Sequence, residues 1–100
     1  MLLVTGVIQI DPSRRHAAEQ AFEKMRSATL GEAGCLEYQA YVDRNDPGTF
    51  FMFEKWQDQA ALDAHFVSPH MAEFGAALGG LGIRAMDVRK CGISSEGSVP

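Results

Sequence analysis

Two runs of strand-forming residues flank a dense block of turn formers, and this arrangement restricts the folds open to the chain more than any other feature. Cys35 to Val42 and Thr49 to Trp56 are rich in aromatic and β-branched residues, and Asp43-Arg44-Asn45-Asp46-Pro47-Gly48 separates them. Such a pattern predicts a β-hairpin and therefore an antiparallel ladder near the middle of the chain. Upstream, Leu2 to Ile10 is nearly all apolar, as a central strand covered on both faces would be. Asp11-Pro12 stops that strand and opens a helix, because Asp caps well and Pro is tolerated at the first helical position. Ala18, Ala21, Phe22, Met25 and Thr29 recur at helical spacing on one face, and the helix is expected to end near Leu30-Gly31.

Downstream of the hairpin, Asp58 caps a short helix with Ala61, Leu62, His65 and Phe66 on one side. Ser68-Pro69 starts a second helical segment that turns Met71, Phe74 and Leu78 inward. Gly79, Gly80 and Gly82 end it, and Ile83 to Cys91 reads as the last strand. The order β-α-β-β-α-β, with its second helix broken, is the split pattern of a ferredoxin-like α+β domain. Right-handed crossovers then give a four-stranded antiparallel sheet of order 4-1-3-2 with the helices on one face. The domain spans residues 1–92, and 93–100, rich in Ser and Gly, are expected to form a flexible tail.

One hundred residues at 46% hydrophobic content support a single modest core, so pairing of two copies through the uncovered sheet face is expected. A net charge of -4 argues against a nucleic-acid module, which needs a basic patch to displace counterions from phosphates. No apolar run reaches the roughly 20 residues that span a bilayer, and no membrane partner is expected. Cys35 and Cys91 lack the spacing of a zinc knuckle or redox pair, which suits a reducing, cytoplasmic setting. Sheet order 4-1-3-2 places them on opposite edges about 14 Å apart, beyond disulfide reach.

Chemistry-bearing side chains concentrate between Glu54 and Phe74. Strand alternation puts Glu54 and Trp56 on one face with Phe50 and Met52. Helical spacing puts His65 beside Leu62 on the side facing the sheet. His70, at the second position of its helix, sits in the positive end of the helix dipole, which disfavours its protonated form. A carboxylate, an indole and two imidazoles around an apolar space would suit a flat aromatic substrate, and a neutral imidazole takes a phenolic proton near neutral pH. Packing explains several of these residues equally well: His65 as a satisfied core histidine, Trp56 as core, Glu54 as a solvent-facing strand residue. A metal site from His65, His70 and Glu54 lacks the i, i+4 geometry of a His-Glu-x-x-His helix, and no metal is expected.

Taken together, Gly34-Cys35-Leu36-x-Tyr38, Asp46-Pro47, Phe53-Glu54-x-Trp56, Leu62-x-x-His65 and Ser68-Pro69-His70-x-x-x-Phe74 resemble the run that marks antibiotic biosynthesis monooxygenase domains, in order and spacing across residues 2 to 90. The resemblance implies a ferredoxin-like fold that dimerises through its sheets into an α+β barrel. It also implies oxidation of quinols or phenols by O₂ with no cofactor. Carried over to this chain, it makes His65 and Glu54 the candidate catalytic residues and adds Trp56 and His70 as substrate contacts. Phe74, Tyr38, Tyr41 and Arg84 are further candidates for lining the site or orienting a phenolate. Haem-degrading relatives carry an Asn on the first strand, where this chain has Thr5-Gly6-Val7, so that activity is not expected. Two other functions suit the same residues: isomerisation of a small oxygenated metabolite, and ligand holding by a non-catalytic stress-response dimer.

Overall fold

The computed structural model describes residues 1–100. Strand β1 (Leu2–Gln9) leads through a 3₁₀ turn (Pro12–Arg14) into α1 (Arg15–Thr29), followed by β2 (Cys35–Val42) and β3 (Thr49–Trp56). Helices α2 (Gln59–Phe66) and α3 (Pro69–Leu78) precede β4 (Ala85–Gly92). The sheet order is β2-β3-β1-β4 and every pairing is antiparallel, as the split βαβ pattern predicts. Cys35 and Cys91 are free thiols on opposite edge strands.

Local chemistry explains most boundaries. Asp11 accepts from Ser13 N–H at 3.0 Å, so its carboxylate caps the 3₁₀ turn rather than the α-helix, which begins at Arg15. Asp58 and Ser68 cap α2 and α3 by accepting from Ala61 N–H and Met71 N–H. The Ser68 hydroxyl thus serves Met71. The last strand starts two residues later than the apolar pattern suggests. Asp11 N–H donates to Leu81 and Gly82 carbonyls, and Gly82 takes φ +62°, a turn that holds Ile83 and Arg84 outside the ladder.

One face of the sheet packs under the helices. Val4, Ile8, Phe50, Met52 and Trp56 meet Ala18, Phe22, Met25, Leu62 and Phe74 in a single core. Rings stack through its middle, with Phe22 centroids 4.8 Å from Phe50 and 5.2 Å from Phe74. Phe66, expected inward, is 54% exposed: it flanks the short α2 while Leu62 and His65 take the buried positions. The opposite face is uncovered and carries Val7 and Phe51, 40% and 41% exposed, beside half-buried Leu3 and Phe53. On that face Lys55 pairs with Glu37 and with Glu96 of the C-terminal segment.

A bulge decides which side chains of β2 join the core. Cys35 pairs with Trp56 and Glu37 with Lys55, so Leu36 is the extra residue. Because side chains alternate, the inserted residue flips everything after it, and Tyr38 stands beside Glu54 on the helix side.

Candidate active site

The end of the core formed by the start of β1 and the end of β3 holds a polar group. Trp56 is fully buried and its Nε1 donates to Glu54 Oε1 at 3.0 Å. The His65 ring lies 4.8 Å from the Trp56 ring and 6.0 Å from that of Tyr38. No hydrogen bond joins Glu54 to His65 as a partner. That part falls to Glu32, in the loop between α1 and β2. One oxygen, Glu32 Oε2, lies 2.7 Å from His65 Nδ1 and 3.1 Å from His70 Nε2. A carboxylate oxygen accepts, so both ring nitrogens donate, and His65 is left with a lone pair on Nε2. Nε2 has no partner within the chain, and it is not one of the sealed, unpartnered polar atoms, which are Arg26 Nε and Thr29 Oγ1.

Close packing of backbone holds Glu32 there. Gln57 N–H donates to the Gly34 carbonyl at 2.8 Å, tying the Glu32 loop to the start of α2. Gly34 has φ +84°, and a Cβ on it would lie 2.5 Å from Ala61 Cβ, so only glycine permits this approach. At the other side Ser68 Oγ donates to the His65 carbonyl at 2.7 Å, which locks the α2–α3 junction and sets the two imidazole centroids 5.9 Å apart.

Burial shapes the acidities. Loss of hydration pushes the Glu54 carboxyl up to about 7, against the opposing hydrogen bond from Trp56 and with a further push from Glu32. Burial likewise drives the Tyr38 phenol far above its ordinary range and the Cys35 thiol up to about 11, so that thiol is a poor nucleophile.

The residues picked out from sequence separate into two sets. His65, Glu54, Trp56, Tyr38 and His70 come together, and Phe74 lies next to them. Tyr41 pairs with Phe51 on the uncovered sheet face and is 54% exposed. Arg84 lies beyond the other end of the sheet, where its N–H reaches Gln9 and its guanidinium approaches Asp11 at 3.9 Å. Within one chain neither belongs to the group. Glu32 was not among the sequence candidates; its only sequence signal is a charged residue in a Gly-bounded loop, Gly31-Glu32-Ala33-Gly34.

Trp56 and His65 are buried, and neither lines the open volumes nearby. Open volume lies on either side. A cavity of about 200 Å³ between α1 and α3 is lined by Met25, His70, Phe74 and neighbouring alanines, with Lys24 and Glu73 at its rim. A second, of about 260 Å³ between α2 and β4, is lined by Val4, Leu62, Phe66 and Val88 beneath Arg89 and Lys90. Only the first touches the Glu32 group, through His70, which has 21% of its side chain exposed against 3% for His65.

Comparison with known proteins agrees with this architecture. Escherichia coli YgiN, described as a probable quinol monooxygenase, is 32% identical over 90 residues, covering 80% of this chain and 86% of its own length. The structure of Rv0793 from Mycobacterium tuberculosis superposes with a TM-score of 0.87 at 29% identity, covering 97% of this chain and 98% of that one. The match to the uncharacterised Synechocystis protein sll1783, 32% identical over 73 residues, spans 73% of this chain and half of that protein's length. Residues 1–77 match the family described as antibiotic biosynthesis monooxygenase, and the chain belongs to that family.

Proposed function

We propose that this chain is a cofactor-independent monooxygenase of small quinols or phenols, acting as a homodimer, with His65 as the proton acceptor. The observation that carries this is the Glu32–His65 pair: an imidazole held at Nδ1 by a carboxylate, with Nε2 unpartnered, packed against Trp56 and Tyr38. Such a pair takes a phenolic proton without a metal or flavin. The cavity beside His70 and Phe74, about 200 Å³, suits one or two fused rings, being below the roughly 300–1,000 Å³ of typical drug-sized pockets. At its wall His70 orients the hydroxyl and Met25 and Phe74 supply apolar surface, while Trp56, fully buried, backs His65, and Glu54, a carboxyl that burial pushes up to about 7, lies behind them.

The chemistry balances without an outside reductant. A side-chain opening at the His70 wall brings the quinol hydroxyl to His65 Nε2, which takes its proton, and the resulting anion passes an electron to O₂. The two radicals join at a ring carbon as a hydroperoxide. Loss of the ring C–H proton and cleavage of the O–O bond leave one oxygen on carbon and release the other as water. One quinol and one O₂ thus give one hydroxylated quinone and one water.

Oxygen uptake with a panel of one- and two-ring quinols, measured with a chelator present, tests this. His65→Ala is expected to lower turnover by roughly 10²-fold or more, with an unchanged circular dichroism spectrum. Wild-type turnover by the folded variant would remove His65 from the chemistry. Proton exchange into a carbonyl metabolite without O₂ uptake would identify an isomerase instead. The exposed Val7 and Phe51 on the uncovered sheet face support the dimer; a stable 10.9 kDa species in sedimentation at micromolar concentration would exclude it.

A further inference from the structure

The three side chains that meet at Glu32 have a property that proton transfer does not use. Glu32 Oε2, His65 Nδ1 and His70 Nε2 all lie within 4.8 Å of one another. They come from the α1–β2 loop, the last turn of α2 and the first turn of α3, and backbone ties at Gly34 and Ser68 hold those elements in register. Two imidazole nitrogens and one carboxylate oxygen form the donor set that suits zinc and other borderline first-row ions, with water completing the coordination. Metal–ligand bonds of about 2.0–2.2 Å place neighbouring donors roughly 3.3 Å apart in a tetrahedron. The two separations from Glu32, 2.7 and 3.1 Å, need a few tenths of an ångström of opening, and the imidazole nitrogens, up to 4.8 Å apart, close on the ion by about 1.5 Å through turns of the partly exposed His70 side chain. His65 keeps 3% of its side chain exposed, whereas Glu32 and His70 keep 16% and 21%, so an ion has a way in from their side.

We propose that Glu32, His65 and His70 bind one divalent zinc-type ion, and that the bound ion blocks rather than serves the oxidation. Binding replaces the Nδ1 proton of His65 with metal, and the neutral ring then carries its proton on Nε2. A ring in that tautomer has no lone pair left to accept a phenolic proton. The binding half is independent of the proposed oxidation, whereas the blocking half rests on it.

The experiment titrates chelator-stripped, dialysed full-length protein with ZnCl₂ in a calorimeter and with CoCl₂ followed by visible absorption. One ion per chain at micromolar affinity is expected, with the intense bands of a low-coordinate cobalt site. Glu32→Gln and His70→Ala should each weaken binding by more than the roughly 10–100-fold that loss of an outer-shell partner costs. Circular dichroism checks both variants, and the near-isosteric Glu32→Gln suffices should His70→Ala fail to fold. His16→Ala removes the remaining histidine, on the outer face of α1, and should leave binding unchanged. No saturable binding up to about millimolar zinc, or binding that survives Glu32→Gln and disappears in His16→Ala, overturns the site. Where a quinol is turned over, saturating zinc should stop it, and turnover that requires zinc overturns the blocking half. If no quinol is turned over, the calorimetry and cobalt spectra still decide the site.

Discussion

The two ends of the core under the helices are equally sealed and chemically opposite. At one end Ile8, Ile10, Phe22, Phe50 and Leu81 form a dry wall of hydrocarbon; at the other, Trp56 and Leu62 surround a buried carboxyl and a buried imidazole. Trp56 is no more accessible than Ile8, so exclusion of water does not distinguish them. What differs is the polar content. Each polar group at the second end must find a partner or change its charge, because an unpaired charge in a low-dielectric interior costs several kcal/mol. Glu54 keeps a hydrogen bond from Trp56 and shifts its acidity, while His65 is tied to Glu32. The dry end supplies stability, and the polar end uses some of it to hold reactive groups away from bulk water.

That division breaks down if the dry end proves dispensable. Phe22 sits between Phe50 and Phe74, and Phe22→Ala is expected to cost about 3–5 kcal/mol in denaturant unfolding, the range for emptying a buried aromatic site. A loss under about 1 kcal/mol would mean that the apolar end is not what anchors the fold.

The next effect is a pH dependence confined to the polar end. Burial on folding raises the pKa of the Glu54 carboxyl from the ordinary 4.5 to about 7. The native state therefore holds a proton that the unfolded chain has released between those values. The stability linked to it is fully present below pH 4.5 and is lost as pH rises through 7, a difference of roughly 3 kcal/mol. In Glu54→Gln this fall should vanish, so the variant gains on wild type between pH 5 and pH 8. Parallel curves for the two proteins across that window would show Glu54 ionising freely.

A smaller effect separates positioning from packing. Glu32→Gln keeps the shape of the loop but weakens the acceptor that orients His65. It should lower kcat about tenfold, or about 1.4 kcal/mol, with KM little changed. An equal change in stability and none in kcat would make Glu32 a structural tie alone. The smallest effect is expected at the surface, where Lys24 and Glu73 pair at 2.8 Å with most of both side chains in water. Lys24→Ala should change stability by less than about 1 kcal/mol; a larger loss in thermal unfolding would mean that the α1–α3 tie belongs to the core.

Element order, the hairpin, the capping residues Asp58 and Ser68, and the sheet order were legible in the residues, because each depends on neighbours a few positions apart or on a topological rule. So was the pairing of Glu54 with Trp56 on one face, since strand alternation has a period of two. Tyr38 is the instructive exception. Counted by simple alternation from Cys35, which pairs with Trp56, it would stand on the uncovered face, and a single extra residue at Leu36 turns it into the core. Nothing in Cys35-Leu36-Glu37 announces a bulge, because either neighbour suits a strand.

The residues of this chain by themselves determined which segments become strands and helices, in what order they pair, and that His65 turns inward beside Leu62. Only the tertiary structure decided that Glu32 would receive both imidazoles, and that Tyr41 and Arg84 would lie elsewhere. Glu32 is 33 residues from His65 and 38 from His70, and no local periodicity reaches that far. Their meeting depends on the close approach of the Gly34 backbone to Ala61 and on the tight junction at Ser68. Those are contacts between elements that the sequence specifies separately and only packing brings together.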